Sequence, residues 1–170
     1  EELVLVHPVR AIVRKNVPLA IDIAQQLGAT YWITGPAEEG YTDTLQSLLE
    51  SARSAGLNVV HEPSTSLADM YAASDVVVFP STWEGFGNPP IDAAIHRRPA
   101  IVGHYRVAEE LRALGFMWFD TDNLDALKTW ISAPDESLLD HNFEVVSSLL
   151  SLEVMQSALR NLLDEAGWLP

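Results

Sequence analysis

Short apolar runs rich in β-branched residues alternate with helical patterns along most of the chain. The clearest run, DVVVF at Asp75–Phe79, is typical of a strand buried on both faces of a parallel sheet. Strict alternation predicts parallel βαβ units, so the expected fold class is α/β, a doubly wound parallel sheet of about six strands with helices on both faces. The predicted strands are Leu3–Val6, Thr30–Thr34, Leu57–His61, Asp75–Phe79, Ala100–Val102 and Phe116–Phe119, and the predicted helices between them are Pro18–Leu27, Thr42–Ala55, Ser66–Ala73, Asn88–Arg97 and Val107–Leu114.

The pattern changes after Phe119, where helical segments follow one another without a strand. The first covers Asn123–Ser132, and the second is a long segment near Phe143–Ala166. We expect a helical C-terminal tail over about residues 123–170 that packs across the outside of the sheet. With 170 residues, 48% of them hydrophobic, the range 1–170 fits a single domain with a full core.

Composition argues against several classes of protein. The absence of cysteine excludes disulfides and thiolate metal sites, and it favours a reducing, cytoplasmic compartment. The net charge of −14 argues against a nucleic-acid surface, and no apolar run reaches the roughly twenty residues of a membrane span. The histidines lack the paired spacing of metal ligands, so no metal site is expected.

The segment after the fourth predicted strand places two acids around a glycine-rich turn and two prolines. It reads STWEGFGNPPIDAA over residues 81–94, with Glu84 before a predicted helix and Asp92 in its first turns. Asn88 is expected to cap that helix, and prolines suit a first helical turn. Ligands of open α/β sheets bind at this carboxyl edge of the strands.

Two glycine-containing stretches have spacings close to known nucleotide-binding fingerprints, but neither matches in full. After Gly85-x-Gly87, Pro90 occupies the third glycine position of a dinucleotide-binding loop, where its ring would obstruct the approach of helix to strand. A second stretch, at 35–40, has the spacing of a phosphate loop, but Tyr41 replaces the required lysine. We expect that stretch to be a strand-to-helix turn.

Basic residues near the N-terminus complete a longer pattern with the 81–94 segment. The pattern consists of Arg10 and Lys15, then PS at 80–81, EGFG at 84–87 and Asp92 eight positions after Glu84. In this combination, over roughly residues 3–132, the chain resembles the C-terminal, donor-binding domain of the retaining glycosyltransferases of family 4, the glycosyl transferases group 1. Enzymes of that family have the GT-B architecture, in which two Rossmann-like domains face each other.

The resemblance implies a function for the chain. Its donor would be a nucleoside diphosphate sugar, from which a hexose is transferred to an acceptor with retention of anomeric configuration. Enzymes of this group usually require no metal ion, so no metal or other cofactor is expected. Because the chain starts at Glu1, almost inside the first predicted strand, we expect the N-terminal acceptor domain to be absent and the fragment to be inactive alone.

The resemblance also assigns roles to individual residues. Arg10 and Lys15 would bind the diphosphate, since guanidinium and ammonium groups make strong charge-assisted bonds to phosphate oxygens. Glu84 would hold hydroxyls of the donor sugar, and these three are the predicted catalytic residues. A carboxylate can accept from two vicinal hydroxyls, so Asp92 would bind the ribose. The other predicted donor-binding residues are Gly85, Phe86, Gly87, Asn88 and Glu110.

The chain departs from the family pattern at several positions. Asp92 is one methylene shorter than the usual glutamate, Arg97 stands where a glycine is usual, and GHYR at 103–106 replaces a glycine-rich loop. We expect Trp83 to pack rather than to stack on a sugar. His7 either lines the cleft or is a hydrogen-bonded structural residue.

Other functions stay open on the sequence alone. The first is a non-catalytic α/β domain that binds a nucleotide or a partner protein and keeps the pocket without transfer. A sugar epimerase would use the same diphosphate contacts, but this segment offers no clear acid and base residues for it.

Overall fold

The computed structural model describes residues 2–62 and 66–168, and the predicted fold class is confirmed. All strands of the sheet are parallel, and their order is β3-β2-β1-β4-β5-β6. The strands are β1 (Val4–His7), β2 (Thr30–Ile33), β3 (Val59–His61), β4 (Val76–Phe79), β5 (Ala100–Val102) and β6 (Phe119–Asp120).

Helices cover both faces of the sheet. Because successive residues of a strand point to opposite faces, Val76 and Val78 pack with α1, α2 and α6, whereas Val77 and Phe79 pack with α3, α4 and α5. The helices are α1 (Val17–Leu27), α2 (Thr42–Ser54), α3 (Leu67–Ala72), α4 (Asn88–Ile95), α5 (Arg106–Ala113), α6 (Asp125–Ser132), α7 (Glu136–Leu149) and α8 (Leu152–Glu165).

The strand order creates a crevice beside β1. From β1 the chain builds outward to β2 and β3, then returns to the other side of β1 at β4. The connections after β1 and β4 therefore diverge at the carboxyl edge of the sheet. Such a switch point is where open α/β sheets bind their ligands.

The loop after β1 is held in place by the loop after β2. The amide of Ala11 donates to the carbonyl of Pro36 at 2.8 Å, and the carbonyl of Ala11 accepts from the amide of Glu38 at 3.1 Å. A 3-10 turn at Val13–Lys15 follows, which the sequence did not predict. These bonds fix the basic segment at the carboxyl edge.

Some predicted boundaries are wrong. The last strand starts at Phe119 rather than Phe116, because Phe116 turns into a cluster between α5 and α7. Helix α4 begins at Asn88, so that Gly87, not Asn88, takes the cap position, and no side chain caps this helix.

The C-terminal tail is also broken where one long helix was expected. Ser151 separates α7 from α8 and caps α8 with its side-chain oxygen, which accepts from the amide of Val154 at 3.4 Å. Helix α7 packs on α4 and α5 with Val146 in the shared cluster, while Leu138 at its start packs against the core on the other face of the sheet. In α8 no described residue is buried, and an apolar stripe is more than half exposed at Leu152, Met155, Leu159 and Leu162.

Substitution of Gly35 tests how closely the loops after β1 and β2 approach each other. A Cβ at Gly35 would lie 2.6 Å from the carbonyl carbon of Val9 and 2.7 Å from the nitrogen of Arg10, so the backbone must move. We expect Gly35→Ala to lower the free energy of unfolding by about 1–3 kcal/mol in urea denaturation. Gly85→Ala is the control, since a Cβ there meets no heavy atom within 4 Å. Equal midpoints for both variants would contradict the close approach.

Candidate functional site

A cleft of about 540 Å³ lies at the carboxyl ends of β1 and β4. The loop after β1 lines one side with Arg10, Arg14 and Lys15, and the loop after β4 with the start of α4 lines the other with Glu84 and residues 86–89. Predicted site residues from two distant parts of the sequence therefore share one cleft. A larger cleft of about 890 Å³ adjoins it along α2.

Lys15 and Glu84 form a buried ion pair in the cleft. The Lys15 Nζ is 2.5 Å from the Glu84 Oε1, and the two side chains are only 10% and 8% exposed. The ammonium also lies 4.7 Å from the centre of the Phe79 ring, which ends β4. Because water is largely excluded, this charge-assisted contact is stronger than a surface ion pair.

A backbone bond reinforces the contact between the same two loops. The amide of Thr82 donates to the carbonyl of Arg14 at 2.9 Å. Lys15 is the last residue of the 3-10 turn, and Asn16 then turns left-handed, with φ of 54°, to start α1. The loops after β1 and β4 are thus joined before any ligand binds.

Arg10 lies at the exposed rim of the cleft. Its Nη1 is 2.6 Å from the Oε2 of Glu38, but the two side chains are 56% and 40% exposed. An ion pair this exposed contributes little to stability, so Arg10 can exchange Glu38 for a ligand anion at small cost.

Arg14 is a cleft residue that the sequence analysis did not assign. Among the described residues no acid pairs with it; its guanidinium lies 5.7 Å from the centre of the Trp83 ring. Trp83 is 63% exposed, so the expectation that it packs is wrong. The available signal was the position of Arg14 within a basic cluster, between Arg10 and Lys15.

Buried polar atoms without partners concentrate around this edge of the sheet. Within residues 2–62 and 66–168 they are His7 Nε2, Arg14 Nε, Ser81 Oγ and Tyr105 OH. His7 ends β1, Ser81 follows β4 and Tyr105 immediately precedes α5. Because such atoms are rare in folded proteins, their concentration here indicates a site that water or a ligand completes.

The glycine-rich motif shapes the wall of the cleft. Phe86, Gly87 and Asn88 line it, and Gly85 joins Glu84 to them. Gly87 has φ of 98°, a conformation that favours glycine, and it occupies the cap position of α4. The helix therefore begins beside the cleft, where the Asn88 amide and the positive end of the helix dipole favour an anion, although Pro89 and Pro90 have no N–H to donate.

The structure does not bring Asp92 or Glu110 to the cleft. Asp92 is half-buried on α4; burial raises the pKa of its carboxyl, and the nearby His96 partly offsets the rise. Glu110 lies exposed on α5, with its Oε1 3.2 Å from the Nε of Arg106. Their roles in donor binding stay predictions.

Arg97 substitutes for the family's glycine at the end of α4. It has φ of 53°, so the backbone keeps the left-handed conformation for which glycine is usual. Its side chain compensates by pairing with Asp140 and lying 4.9 Å from the centre of the Phe143 ring, both on α7. This departure from the family pattern therefore connects α4 to the tail.

The described residues lack two kinds of feature. They contain no group of three or more acidic or histidine side chains placed to hold a metal ion. They also contain no helix that is both long and apolar enough to cross a membrane.

A parallel sheet of this order, with a basic loop facing an acidic, glycine-rich loop across the switch point, is typical of nucleotide-binding α/β domains. Residues 4–131 match the sequence model of the family described as glycosyl transferases group 1. The chain belongs to this family.

Two curated proteins are similar to this chain over part of their length. Mannosylglucosylglycerate synthase from Petrotoga mobilis is 27% identical over 149 residues, which covers 68% of this chain and 35% of that protein. O-antigen chain mannosyltransferase RfbU from Salmonella typhimurium is 36% identical over 75 residues, which covers 44% and 20%. The matched part of the chain thus spans about a third or less of the length of these two curated relatives.

Solved structures share the fold. HepE from Anabaena, in complex with UDP, superposes with a TM-score of 0.85 at 21% identity and covers 96% of this chain and 49% of that chain. The C-terminal domain of the group 1 family protein LpcC from Francisella tularensis gives a TM-score of 0.71 at 19% identity, with coverage of 88% and 87%.

The ion pairs of the cleft predict unequal effects on stability. Glu84→Gln removes one partner of a buried pair and should lower the free energy of unfolding by about 1–3 kcal/mol, because Lys15 is left buried without a counter-charge. Glu38→Gln breaks the exposed pair with Arg10 and should change the free energy of unfolding by less than about 1 kcal/mol. Urea denaturation of both variants at neutral pH provides the comparison, and a larger loss for Glu38→Gln would contradict the assignment.

His7 predicts a pH dependence of stability. The ring is buried, its Nδ1 is 2.8 Å from the Tyr31 hydroxyl, and burial together with the charge of Lys15 lowers its pKa from 6.5 to about 3. The unfolded chain therefore takes up a proton first as the pH falls. Stability from this group is complete above pH 6.5 and is lost towards pH 3, by about 1.4 kcal/mol per pH unit.

The measurement is urea denaturation between pH 6.5 and 5, comparing wild type with His7→Gln. The plot of the free energy of unfolding against pH should lose the His7 contribution to its slope in the His7→Gln variant. The His141→Gln variant, changed at an exposed position, should keep that contribution. Equal slopes for wild type and His7→Gln would contradict the low pKa of His7.

Proposed function

We propose that the chain is the donor-binding half of a glycosyltransferase that moves a hexose from a nucleoside diphosphate sugar to an acceptor with retention of anomeric configuration. One observation supports this most directly. The basic loop after β1 faces the EGFG motif after β4 across the switch point, in a chain of the glycosyl transferases group 1 family. The rest of the enzyme would supply the acceptor site, as in the expected GT-B architecture.

The diphosphate would lie against the loop after β1 and the start of α4. Arg10 and Arg14 hold no buried acid, so they are free to bind phosphate oxygens, and Lys15 has further N–H donors besides the one directed at Glu84. The N-terminus of α4 would add the Asn88 amide and the positive end of the helix dipole, since Pro89 and Pro90 have no N–H. These contacts strengthen as the leaving diphosphate gains charge, which is how they would accelerate transfer.

Glu84 would bind hydroxyls of the donor sugar next to the diphosphate. Its position between the basic loop and the glycine turn sets the carboxylate where the sugar would follow the second phosphate. We assign it a role in orienting the sugar rather than forming a covalent intermediate. In this proposal the leaving diphosphate helps to activate the acceptor on the same face, which retains the configuration.

The names of similar proteins guide the choice of donors to test. The similar synthase is named for a product that contains a mannosyl group, the similar transferase is named for mannosyl transfer, and HepE has been crystallised with UDP-glucose. We therefore propose GDP-mannose and UDP-glucose as the first candidates, each with its nucleoside diphosphate and nucleoside. Binding to the chain is measured by isothermal titration calorimetry. No binding of any of these ligands would favour the non-catalytic alternative.

Substitution of the free arginines tests the phosphate contacts. Arg10→Ala and Arg14→Ala should each weaken binding of the preferred nucleoside diphosphate about tenfold or more, and leave binding of the nucleoside within about threefold. Lys15 is left intact because its loss would also leave Glu84 unpaired. Lys128→Ala, on α6, is the control for a change of net charge alone. Equal losses for diphosphate and nucleoside would overturn the phosphate assignment.

A further inference from the structure

We propose that Tyr105 is a positioning residue for Glu84: its hydroxyl donates a hydrogen bond to the Glu84 carboxylate when the donor diphosphate draws Lys15 away. The inference rests on the proposed function, because it needs a diphosphate in the cleft. The inference goes beyond the proposed function because it assigns a role to a side chain of the GHYR segment at 103–106, where this sequence departs from the family pattern.

The position of Tyr105 places its hydroxyl against the EGFG motif. Tyr105 is 5% exposed, and its ring packs edge-on against Phe79 with centroids 6.2 Å apart. A Cβ on Gly87 would overlap the hydroxyl oxygen, so the absence of a side chain at Gly87 makes the room that the hydroxyl occupies. The phenol hydroxyl is thus held against Gly87, which is three residues along the chain from Glu84.

The hydroxyl of Tyr105 is an unused donor. It is buried and has no hydrogen-bond partner. Burial, and after it the charge of Glu84, raises the pKa of the phenol, so the proton stays on the oxygen throughout the neutral range. A neutral phenol close enough to feel the carboxylate is suited to donate to it.

Glu84 needs a second donor once a ligand arrives. In the described part of the chain its carboxylate has one hydrogen-bond partner, the Nζ of Lys15. A bound diphosphate competes for that ammonium, and each step of its movement toward phosphate weakens the bond to Glu84. A carboxylate that is 9% exposed cannot recover the loss from bulk water.

Both donors contact the ring of Phe79. The Lys15 ammonium lies over the ring face at 4.7 Å, and Tyr105 contacts the same ring at an interplanar angle of 70°. In the proposed exchange, the Glu84 carboxylate passes from the ammonium to the phenol while Phe79, the last residue of β4, keeps its contact with both donors. The exchange keeps the carboxylate oriented toward the donor sugar while Lys15 binds phosphate.

The test is Tyr105→Phe, which keeps the ring and removes only the hydroxyl. Calorimetry with GDP-mannose, UDP-glucose and the two nucleoside diphosphates separates the sugar contribution from the diphosphate contribution. We expect binding of the nucleoside diphosphate to stay within about twofold of wild type, and the extra affinity given by the sugar to fall about tenfold. Tyr41→Phe is the matched control, a buried tyrosine in the cluster on the other face of the sheet.

A double-mutant cycle shows whether Tyr105 acts through Glu84. In a Glu84→Ala background, Tyr105→Phe should cause no further loss of the sugar contribution, because the acceptor of its hydrogen bond is already gone. Thermal unfolding of each variant checks that the fold is kept. A structural role alone would make the two losses additive.

The outcomes are distinguishable. A sugar-specific loss in Tyr105→Phe that disappears in the Glu84→Ala background supports the inference. If the wild type gains affinity from the sugar and Tyr105→Phe matches it, or if the losses add, the inference is overturned and the proposed function stands. If the wild type binds neither nucleotide sugar, both are overturned.

Discussion

The buried ion pair between Lys15 and Glu84 is the contact on which the candidate site depends. It joins the loop after β1 to the loop after β4, the two connections that diverge at the switch point. Burying two charges is costly unless their geometry is close and the surroundings hold them. Here a 2.5 Å contact, the Phe79 ring and the Thr82–Arg14 backbone bond meet that condition. The unliganded cleft is therefore pre-formed and neutralised at its centre.

Because Lys15 is already paired with Glu84, its attraction for an anionic ligand is reduced. Under the proposed function, a diphosphate would share Lys15 with Glu84, so part of its attraction would be offset by the weakening of an existing bond. The cost is small for Arg10, whose ion pair with Glu38 is exposed, and Arg14 has no acidic partner to lose among the described residues. The cleft thus combines one cation that organises the site with others that are free to respond to the ligand.

Sequence reasoning located much of this arrangement but not its pairings. The alternation of strands and helices predicted the fold, because burial on both faces leaves a pattern in each short segment. The resemblance to the glycosyl transferases group 1 pattern predicted that Arg10, Lys15 and Glu84 belong to one site. That Lys15 pairs with Glu84, that Tyr105 lies against Gly87 and that Trp83 is exposed all depend on distances between segments far apart in the chain. The break at Ser151 was missed although a serine cap was available as a signal, because the leucines around it continue a helical pattern.

The charge of the whole chain explains why such direct contacts are needed. With a net charge of −14, the body repels an anionic donor at distances beyond the cleft, and at physiological salt this repulsion fades over about 8 Å. Long-range steering therefore cannot account for binding. Attraction begins only where the basic loop is closer to the ligand than the surrounding acids are, so recognition must come from contacts within the cleft. That requirement favours a rigid loop over a mobile one, and the bonds that fix the 3-10 turn against the neighbouring loops provide that rigidity.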